Sequence, residues 1–455
     1  MITRIEAYNY RCFPALSVDL GRYHVFAGAN GAGKTTLLDI PTLLGDLLGR
    51  QRAVTAFLER QEHGRAARAS TPTDLLHKGR GDSIVFVIEA KLDDEVVEAL
   101  SVAGQVRPGR REIHTHLRYE LCLEVGPRVL NVAEEYLFLY SDAGVRPEPG
   151  TFPQGRVGFG GTLAHPDWQP VILREGRAPT RFIPETTTPT AEIDARRSPS
   201  ASSHQDLPGT FAQETGIPPL RVPPGQLALG SVPADPTLFP AALWLAQLLR
   251  EGVVFFAPDW EVLRRPAPPG DPARLLPSGV NMPWLALDLQ QSDPDRFASW
   301  VDHVRTALPQ VTGISVVERE EDHHAYFAVE YAGGYRVTSS GLSDGTLRIL
   351  VLTLLPYLRE EEMPRLLVTE EPENGIHPRA IETVVQSLSS LYDSQVWIST
   401  HSPIVLAHTE LADVLAARLN EDGSVSVIPG NRHPRLRDWR GSLDIGTLFA
   451  AGVLS

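Results

Sequence analysis

GANGAGKT, Gly28 to Thr35, is the stretch that decides the fold, because it fits the P-loop pattern in every required position. It lies between a predicted strand, His24 to Ala27, and leucines at helical spacing from Leu37 to Leu48, where Pro41 is expected to bend the helix. Glycines let main-chain N–H groups turn toward phosphate oxygens, and the N-terminus of the following helix favours negative charge. Strand, glycine loop and helix in this order predict a phosphate-binding α/β fold.

The residues that end this loop and begin the helix each have a predicted task. Lys34 is expected to reach the β- and γ-phosphates, the Thr35 hydroxyl to ligate Mg²⁺, and Thr36 to assist from the next position. These tasks predict a nucleoside triphosphate and Mg²⁺ as ligands. The predicted nucleotide-binding residues are Asn30, Gly31, Ala32, Gly33, Lys34, Thr35 and Thr36.

A second motif, RLLVTEEPENGIHP from Arg365 to Pro378, places two carboxylates directly after an apolar strand. Glu370 is expected to hold Mg²⁺ through its water shell, and Glu371 to polarise the water that attacks the γ-phosphate. Aspartate is usual at the first position, so the longer Glu370 side chain is a departure that favours contact through water. Taken alone, the motif could also be a solvated acidic turn.

His401, in STHSP, follows the apolar run Val396 to Ile398 and is therefore predicted at the carboxyl end of a strand, where α/β sheets bind ligands. A histidine there can hydrogen-bond the γ-phosphate and the attacking water. A lone histidine after a strand is more often structural than functional. Together with the other motifs it is predicted to be catalytic, beside Lys34 and Glu371.

The run SSGLSDGT, Ser339 to Thr346, precedes a predicted helix over Leu347 to Leu358. Ser343 can cap that helix, and Gly345 allows close backbone approach, so the run can form a second anion site. The alternative for this string by itself is a helix cap with a glycine turn.

The order P-loop, LSDGT, EEPE and THSP resembles that of the ABC-type ATPase heads of the RecF, SMC and OLD group, especially stand-alone bacterial AAA-family members without a TOPRIM domain, such as defence-system ATPases. The motifs cover residues 1 to about 60 and 335 to 410. The resemblance implies two ATP molecules with Mg²⁺ in a homodimer interface. It also implies two further sets of residues: a signature acting in trans, Ser343, Asp344 and Gly345, and an inter-site loop, Asn374 and Gly375.

The predicted fold class is α/β, a P-loop NTPase of ABC-ATPase type. A mixed or parallel core sheet with helices is joined by an antiparallel β lobe, predicted from alternation at residues 84–90 and 117–123, and by an irregular insertion over 147–224 rich in Pro, Gly, Ser and Thr. Three parts are expected: the N-terminal head with the P-loop, the inserted lobe, and the C-terminal head with the other motifs. Their bounds are 1–100, 101–310 and 311–455.

Composition limits the partners. A net charge of −14 over 455 residues makes general nucleic-acid binding unfavourable, so any such contact would use local arginines, as in residues 107–111 or 432–440. Two cysteines suit a reducing compartment, and neither a signal sequence nor a run of about 18 apolar residues is present, so we expect a cytoplasmic protein away from membranes.

These patterns favour an ATPase that hydrolyses ATP slowly and acts as sensor or regulator beside a separately encoded effector in bacterial anti-phage defence or DNA maintenance. Two alternatives stay open. One is a RecF-like repair ATPase that binds duplex DNA, and the other is a nucleotide-gated scaffold whose hydrolysis is incidental.

Overall fold

The chain forms two compact units, and each is built from two separate stretches of sequence. The first comprises residues 1–20 and 43–250, and the second residues 21–42 and 251–455. The three-part division at residues 100 and 310 stays a prediction. The computed structural model describes residues 1–49, 52–61, 65–104, 113–157, 163–186, 217–270, 272–433 and 445–450.

Sixteen strands and twelve α-helices lie within these described ranges. The strands are β1 (Ile2–Tyr10), β2 (Phe13–Asp19), β3 (Tyr23–Ala27), β4 (Ser83–Lys91), β5 (His116–Val125), β6 (Leu130–Tyr140), β7 (Gln169–Glu175), β8 (Arg181–Phe182), β9 (Val253–Phe256), β10 (Val311–Glu318), β11 (Ala325–Tyr331), β12 (Tyr335–Thr338), β13 (Leu366–Glu370), β14 (Gln395–Thr400), β15 (Val414–Leu419) and β16 (Val425–Pro429). The helices are α1 (Lys34–Leu38), α2 (Ile40–Gly49), α3 (Ala53–Leu58), α4 (Asp94–Gly104), α5 (Pro240–Gln247), α6 (Trp260–Leu263), α7 (Met282–Ser292), α8 (Pro294–Ala307), α9 (Asp344–Leu354), α10 (Pro378–Ser389), α11 (Pro403–Ala407) and α12 (Ile445–Ala450).

An antiparallel sheet of seven strands forms the first unit, in the order β2-β1-β4-β5-β6-β7-β8. The alternating apolar residues that predicted β4 and β5 are fully buried, as Phe86 and Leu121 illustrate. Burial of such a face is what the period of two along a strand provides. The predicted antiparallel lobe is therefore confirmed.

The expectation that residues 147–224 form an irregular, partly mobile insertion is wrong where the chain forms two strands. Strand β7 lies within that range and pairs with β6, and the short strand β8 pairs with β7. The run Val171 to Leu173 is buried but too short to alternate visibly, and Pro170 next to it argued against a strand. The residues of this range from 158 to 162 and from 187 to 216 lie outside the described part of the chain.

Buried charges on the same sheet interrupt the apolar pattern. The fully buried Arg118 guanidinium donates to Glu6 at 2.9 Å, to Glu89 at 2.6 Å and to Glu120 at 2.7 Å. It also donates to the main-chain oxygen of Thr151 at 2.7 Å. Charges leave water only when they are paired and hydrogen-bonded in this way. The cluster thus attaches the loop around Thr151 to the strands.

The second unit contains a six-stranded sheet in the order β16-β15-β3-β14-β13-β9. All neighbouring strands are parallel except β15 and β16. The apolar core of this unit packs around the fully buried Trp300 of α8, whose indole Nε1 donates to Thr353 Oγ1 at 3.1 Å. A separate antiparallel sheet, β10-β11-β12, leads directly toward Ser339. Parallel strands with helices and a glycine loop form the predicted P-loop NTPase fold.

Candidate functional site: a phosphate loop facing two acidic and histidine loops

Three neighbouring parallel strands of the second unit carry the predicted catalytic motifs to one edge of the sheet. Strand β3 leads into the P-loop, β13 ends at Glu370, and β14 ends at Thr400. The register pairs Ala27 with Thr400 and Ser399 with Glu370. The motifs therefore begin at the same level, at the carboxyl ends of the strands, where sheets of this type bind ligands.

The P-loop follows a path that glycine alone can take at two points. A Cβ atom at Gly28 would lie 2.3 Å from the main-chain oxygen of Ala417, so a side chain does not fit there. Gly33, which precedes α1, has a φ of +73°, in the left-handed region that favours glycine. Asn30 and Gly31 are exposed, whereas Ala32 is buried. The loop therefore presents its turn to solvent while its base is fixed against β15.

The Lys34 ammonium group is buried and lies at the centre of the site. It donates to the main-chain oxygens of Gly28 at 2.8 Å and Ala29 at 3.1 Å, and its Nζ lies 3.0 Å from Nε2 of His401. Burial lowers the pKa of Lys34, while the nearby carboxylates of Glu371 and Glu370 oppose that shift. A partly desolvated cation here suits binding of phosphate oxygens.

The Thr35 hydroxyl donates to the Glu370 carboxylate. Hydroxyl and carboxylate oxygens are ligands that Mg²⁺ prefers, and Mg²⁺ usually combines one or two protein ligands with waters and substrate phosphates. The described residues contain no cluster of three or more His, Cys, Asp or Glu side chains that could hold a metal ion. Thr35 and Glu370 fit the predicted Mg²⁺ site, and Thr36 is buried beside them in α1.

Glu371 is held on several sides. Its main-chain N–H donates to the Ser399 oxygen at 2.9 Å, and its carboxylate accepts from Asn374 Nδ2 at 2.5 Å. Its backbone adopts a φ of +44°, a left-handed conformation that is uncommon for a residue with a side chain. Backbone strain of this kind persists where surrounding contacts enforce it, and it concentrates at functional sites. Asn374, which was predicted to belong to the inter-site loop, thus also orients Glu371.

His401 connects the basic and acidic parts of the site through one ring nitrogen. Its Nε2 lies 3.0 Å from Lys34 Nζ and 3.1 Å from Glu371 Oε1. Burial and the Lys34 charge lower the pKa of His401, whereas Glu371 raises it. One nitrogen can accept from the ammonium or donate to the carboxylate, but it cannot do both. The tautomer of His401 therefore depends on which neighbour it serves.

The signature residues form a second group in the same unit. Ser343 caps α9 as predicted, with its Oγ accepting from the main-chain N–H of Thr346 at 3.2 Å. A Cβ atom at Gly345 would lie 2.8 Å from the main-chain oxygen of Gly375, whose φ is +74°. In this unit the main chain that comes close to Gly345 is therefore that of Gly375, in the predicted inter-site loop.

Sequence reasoning missed the residues that support the signature loop. Arg264, directly after α6, donates to the main-chain oxygen of Leu342 and to the Asp344 carboxylate. The Arg348 guanidinium lies over the Trp260 ring, 4.2 Å from its centroid. Arg264 and Asp344 are separated by 80 residues, so no local pattern could have paired them. For Arg348, the sequence offers one signal: it lies one helical turn after Asp344, on the same face of α9.

The weaker predictions are only partly visible. Arg432 is exposed at the end of a 3₁₀ turn, whereas the remaining arginines of residues 432–440 and those of residues 107–111 lie outside the described residues. No helix in the described ranges combines the length and the apolar character needed to cross a membrane.

Comparisons with known proteins include the part of the chain that carries three of these motifs. A family model described as "AAA domain, putative AbiEii toxin, Type IV TA system" matches residues 219–407, which contain the signature, the paired glutamates and His401. The chain is 32% identical over 97 residues to the Old nuclease of Escherichia phage P2, a match that covers 19% of this chain and 17% of that protein. The chain thus aligns with about a sixth of that relative's length.

Solved structures of SMC heads are also similar. An SMC head bound to the C-terminal winged-helix domain of ScpA has 10% identity and a TM-score of 0.49, over 94% of this chain and 97% of that one. The SMC head domain of Thermotoga maritima has 10% identity and a TM-score of 0.39, over 94% and 98%. The strand order and the phosphate loop confirm the predicted P-loop NTPase fold. The match of residues 219–407 to the AAA domain supports the resemblance to ATPase heads of the ABC type that the motif order indicated.

Proposed function

We propose that this protein binds ATP with Mg²⁺ and hydrolyses it slowly. The observation that carries the proposal is the convergence of Lys34, Glu371 and His401, which follow three neighbouring strands. Lys34 Nζ lies 3.0 Å and Glu371 Oε1 lies 3.1 Å from Nε2 of His401. Such a group can neutralise phosphate charge, orient a water and report the terminal phosphate in one place.

Each side chain has a task that its environment supports. The Lys34 ammonium would bind the β- and γ-phosphates, because burial strengthens its attraction for anions. Glu371, fixed by Asn374, would accept a hydrogen bond from the attacking water and hold it in line. His401 would bind a γ-phosphate oxygen. Mg²⁺, held by Thr35 and by Glu370 through water, would neutralise charge that develops on the phosphates.

We further propose that two chains enclose two ATP molecules, each signature loop completing the partner's site. Support comes from the placement of Ser343 at the N-terminus of α9, where an anion is favoured. Within each chain, Gly345 contacts Gly375, and the neighbouring Asn374 donates to Glu371. Closure of the partner's site on the signature loop would therefore be communicated to Glu371 of the chain's own site.

The biological role proposed is that of a cytoplasmic sensor or regulator acting on a separately encoded effector in anti-phage defence or DNA maintenance. The support is the matched family's description, which names a toxin of a type IV toxin–antitoxin system. The similarity to a phage nuclease is consistent with a protein from conflicts between phages and bacteria.

Hydrolysis is tested by phosphate release with and without Mg²⁺. We expect Glu371→Gln to lower kcat by about 100-fold or more, because it removes the group that orients and polarises water. The matched control is Glu421→Ala, which removes an exposed carboxylate from the turn between β15 and β16 and is expected to leave kcat unchanged. Equal rates for wild type and Glu371→Gln would overturn the assignment.

Dimerisation is tested by measuring the mass of Glu371→Gln in solution with and without ATP. Blocked turnover should trap the closed form, so we expect the mass to double with ATP. A monomer under both conditions would refute the shared-site arrangement. If Glu371→Gln dimerises and still evokes the effector response, the nucleotide-gated scaffold is the better description.

A further inference from the structure

Glu373 joins the two loops that carry the proposed catalytic side chains. Its Oε1 accepts a hydrogen bond from the Thr400 hydroxyl, and that hydroxyl accepts from the main-chain N–H of Ser402 at 2.9 Å. Two residues earlier, the Glu371 N–H donates to the Ser399 oxygen at 2.9 Å. The loop after β13 is thus attached to the loop after β14 at two points, one through main chain and one through Glu373.

Burying this carboxylate costs free energy, which indicates that its position serves a purpose. Glu373 is 8% exposed and Thr400 is fully buried. The second carboxylate oxygen, Oε2, is buried without a hydrogen-bond partner among the described residues. Burial raises the pKa of Glu373, and the Thr400 hydroxyl and the His401 main chain oppose that rise. An apolar side chain would fill this space without leaving a buried oxygen unpaired.

The attachment acts on both catalytic residues through their neighbours. Thr400 directly precedes His401, and Glu373 lies between Glu371 and Asn374, the residue that donates to Glu371. The distance of 3.1 Å between His401 Nε2 and Glu371 Oε1 therefore depends on how the two loops are aligned. A misalignment of about 1 Å in such a site can lower turnover by about 100-fold.

We propose that Glu373 is a positioning residue that aligns Glu371 with His401 through its hydrogen bond to Thr400. This proposal rests on the proposed ATP hydrolysis, but the alignment itself can be observed without turnover. It makes no use of direct contact between Glu373 and substrate.

The kinetic test uses two variants at each position, one that keeps the hydrogen bond between Thr400 and Glu373 and one that removes it. Glu373→Gln keeps an acceptor and Thr400→Ser keeps the hydroxyl, whereas Glu373→Ala and Thr400→Val remove them. We expect kcat to fall by about 10- to 100-fold in the two variants that lose the bond, with KM changed by less than about twofold, and little change in the two that keep it. The double variant Glu373→Ala with Thr400→Val should be no slower than either single one.

The matched control is Thr409→Val, which removes another buried hydroxyl of this unit, bonded to the Val405 oxygen at 2.7 Å. Wild-type kcat in Glu373→Ala and Thr400→Val, or equal losses in Thr400→Ser and Thr400→Val, would overturn the proposal. If Glu373→Ala fails to fold, the Thr400→Ser and Thr400→Val pair still decides.

A second readout separates this proposal from the proposed function. In histidine-labelled protein, the His401 imidazole resonance, identified by its loss in His401→Gln, is expected to shift in Thr400→Val and to stay unchanged in Thr409→Val. An inactive wild type would refute ATP hydrolysis, and the resonance would still report the alignment. An unmoved His401 resonance in Thr400→Val would refute the positioning role whatever the activity.

Discussion

Replacing Gly345 by alanine would insert a methyl group between the signature and the inter-site loop. Its Cβ would lie 2.8 Å from the main-chain oxygen of Gly375, whereas ordinary contacts begin at 3.4 Å. The obstacle is main chain, so it cannot rotate away as a flexible side chain would. One of the loops must move by about 0.6 Å to restore ordinary contact at 3.4 Å.

Two opposing effects set the size of the change. Alanine is more favourable than glycine in a helix by about 0.8–1.0 kcal/mol, and Gly345 lies in the first turn of α9. Overpacking typically costs about 1–3 kcal/mol, and a contact with main chain belongs in the upper part of that range. We therefore expect Gly345→Ala to lower the free energy of unfolding by about 1–2 kcal/mol, because the clash exceeds the gain in helix propensity.

The assay is urea unfolding followed by tryptophan fluorescence, with Gly49→Ala as the matched control. Gly49 ends helix α2, and a Cβ atom there meets nothing within 4 Å. The control should gain up to about 1 kcal/mol, since alanine reduces the entropy of the unfolded chain. A Gly345→Ala protein as stable as the wild type, or stabilised like Gly49→Ala, would refute the reasoning from this contact.

Two further outcomes follow from charges at the site. Lys34→Met should raise the pKa of His401, because an ammonium group 3.0 Å from Nε2 disfavours a second positive charge, and Glu371→Gln should lower it, because the carboxylate at 3.1 Å favours imidazolium. Imidazole resonances titrated against pH measure both shifts, and shifts of the same sign would contradict the geometry. Arg264→Met should lower the free energy of unfolding by less than about 1 kcal/mol, because the partner carboxylate of Asp344 is 60% exposed. The same change should weaken ATP-dependent dimerisation, because Arg264 holds the signature loop. Light scattering in the Glu371→Gln background tests this, and an unaltered dimer would count against a role for Arg264 in holding the signature loop.

The parts of the site that follow a strand could be predicted from the sequence. Glu371 and His401 each follow an apolar run, and parallel strands place such residues at a common edge. Local chemistry also sufficed for the Ser343 cap, because its hydrogen-bond partner is three residues away. These predictions needed only short-range patterns and the rule that connects strand ends.

Contacts between distant segments could not be predicted in this way. Nothing local to Arg264 or Asp344 indicates that they pair, and Arg118 reads as one charge on an alternating strand although it is fully buried. The buried hydrogen bond from Thr400 to Glu373 likewise exists only because β13 and β14 are neighbours. Such contacts follow from packing, where burial decides the energy of a charge and sequence spacing does not.

The strand order has a consequence for synthesis of the chain. Strand β3, which carries the P-loop, has β14 and β15 as its two neighbours in the sheet. Lys34 and His401 are separated by 367 residues, so a stretch of about that length must leave the ribosome before β3 can pair on either side. Until then, its apolar edge is open to other strands. We expect the nascent second unit to depend on chaperones more than its final stability suggests. If the proposed ATP site is correct, ribosome-bound chains that stop before residue 395 should be unable to retain ATP.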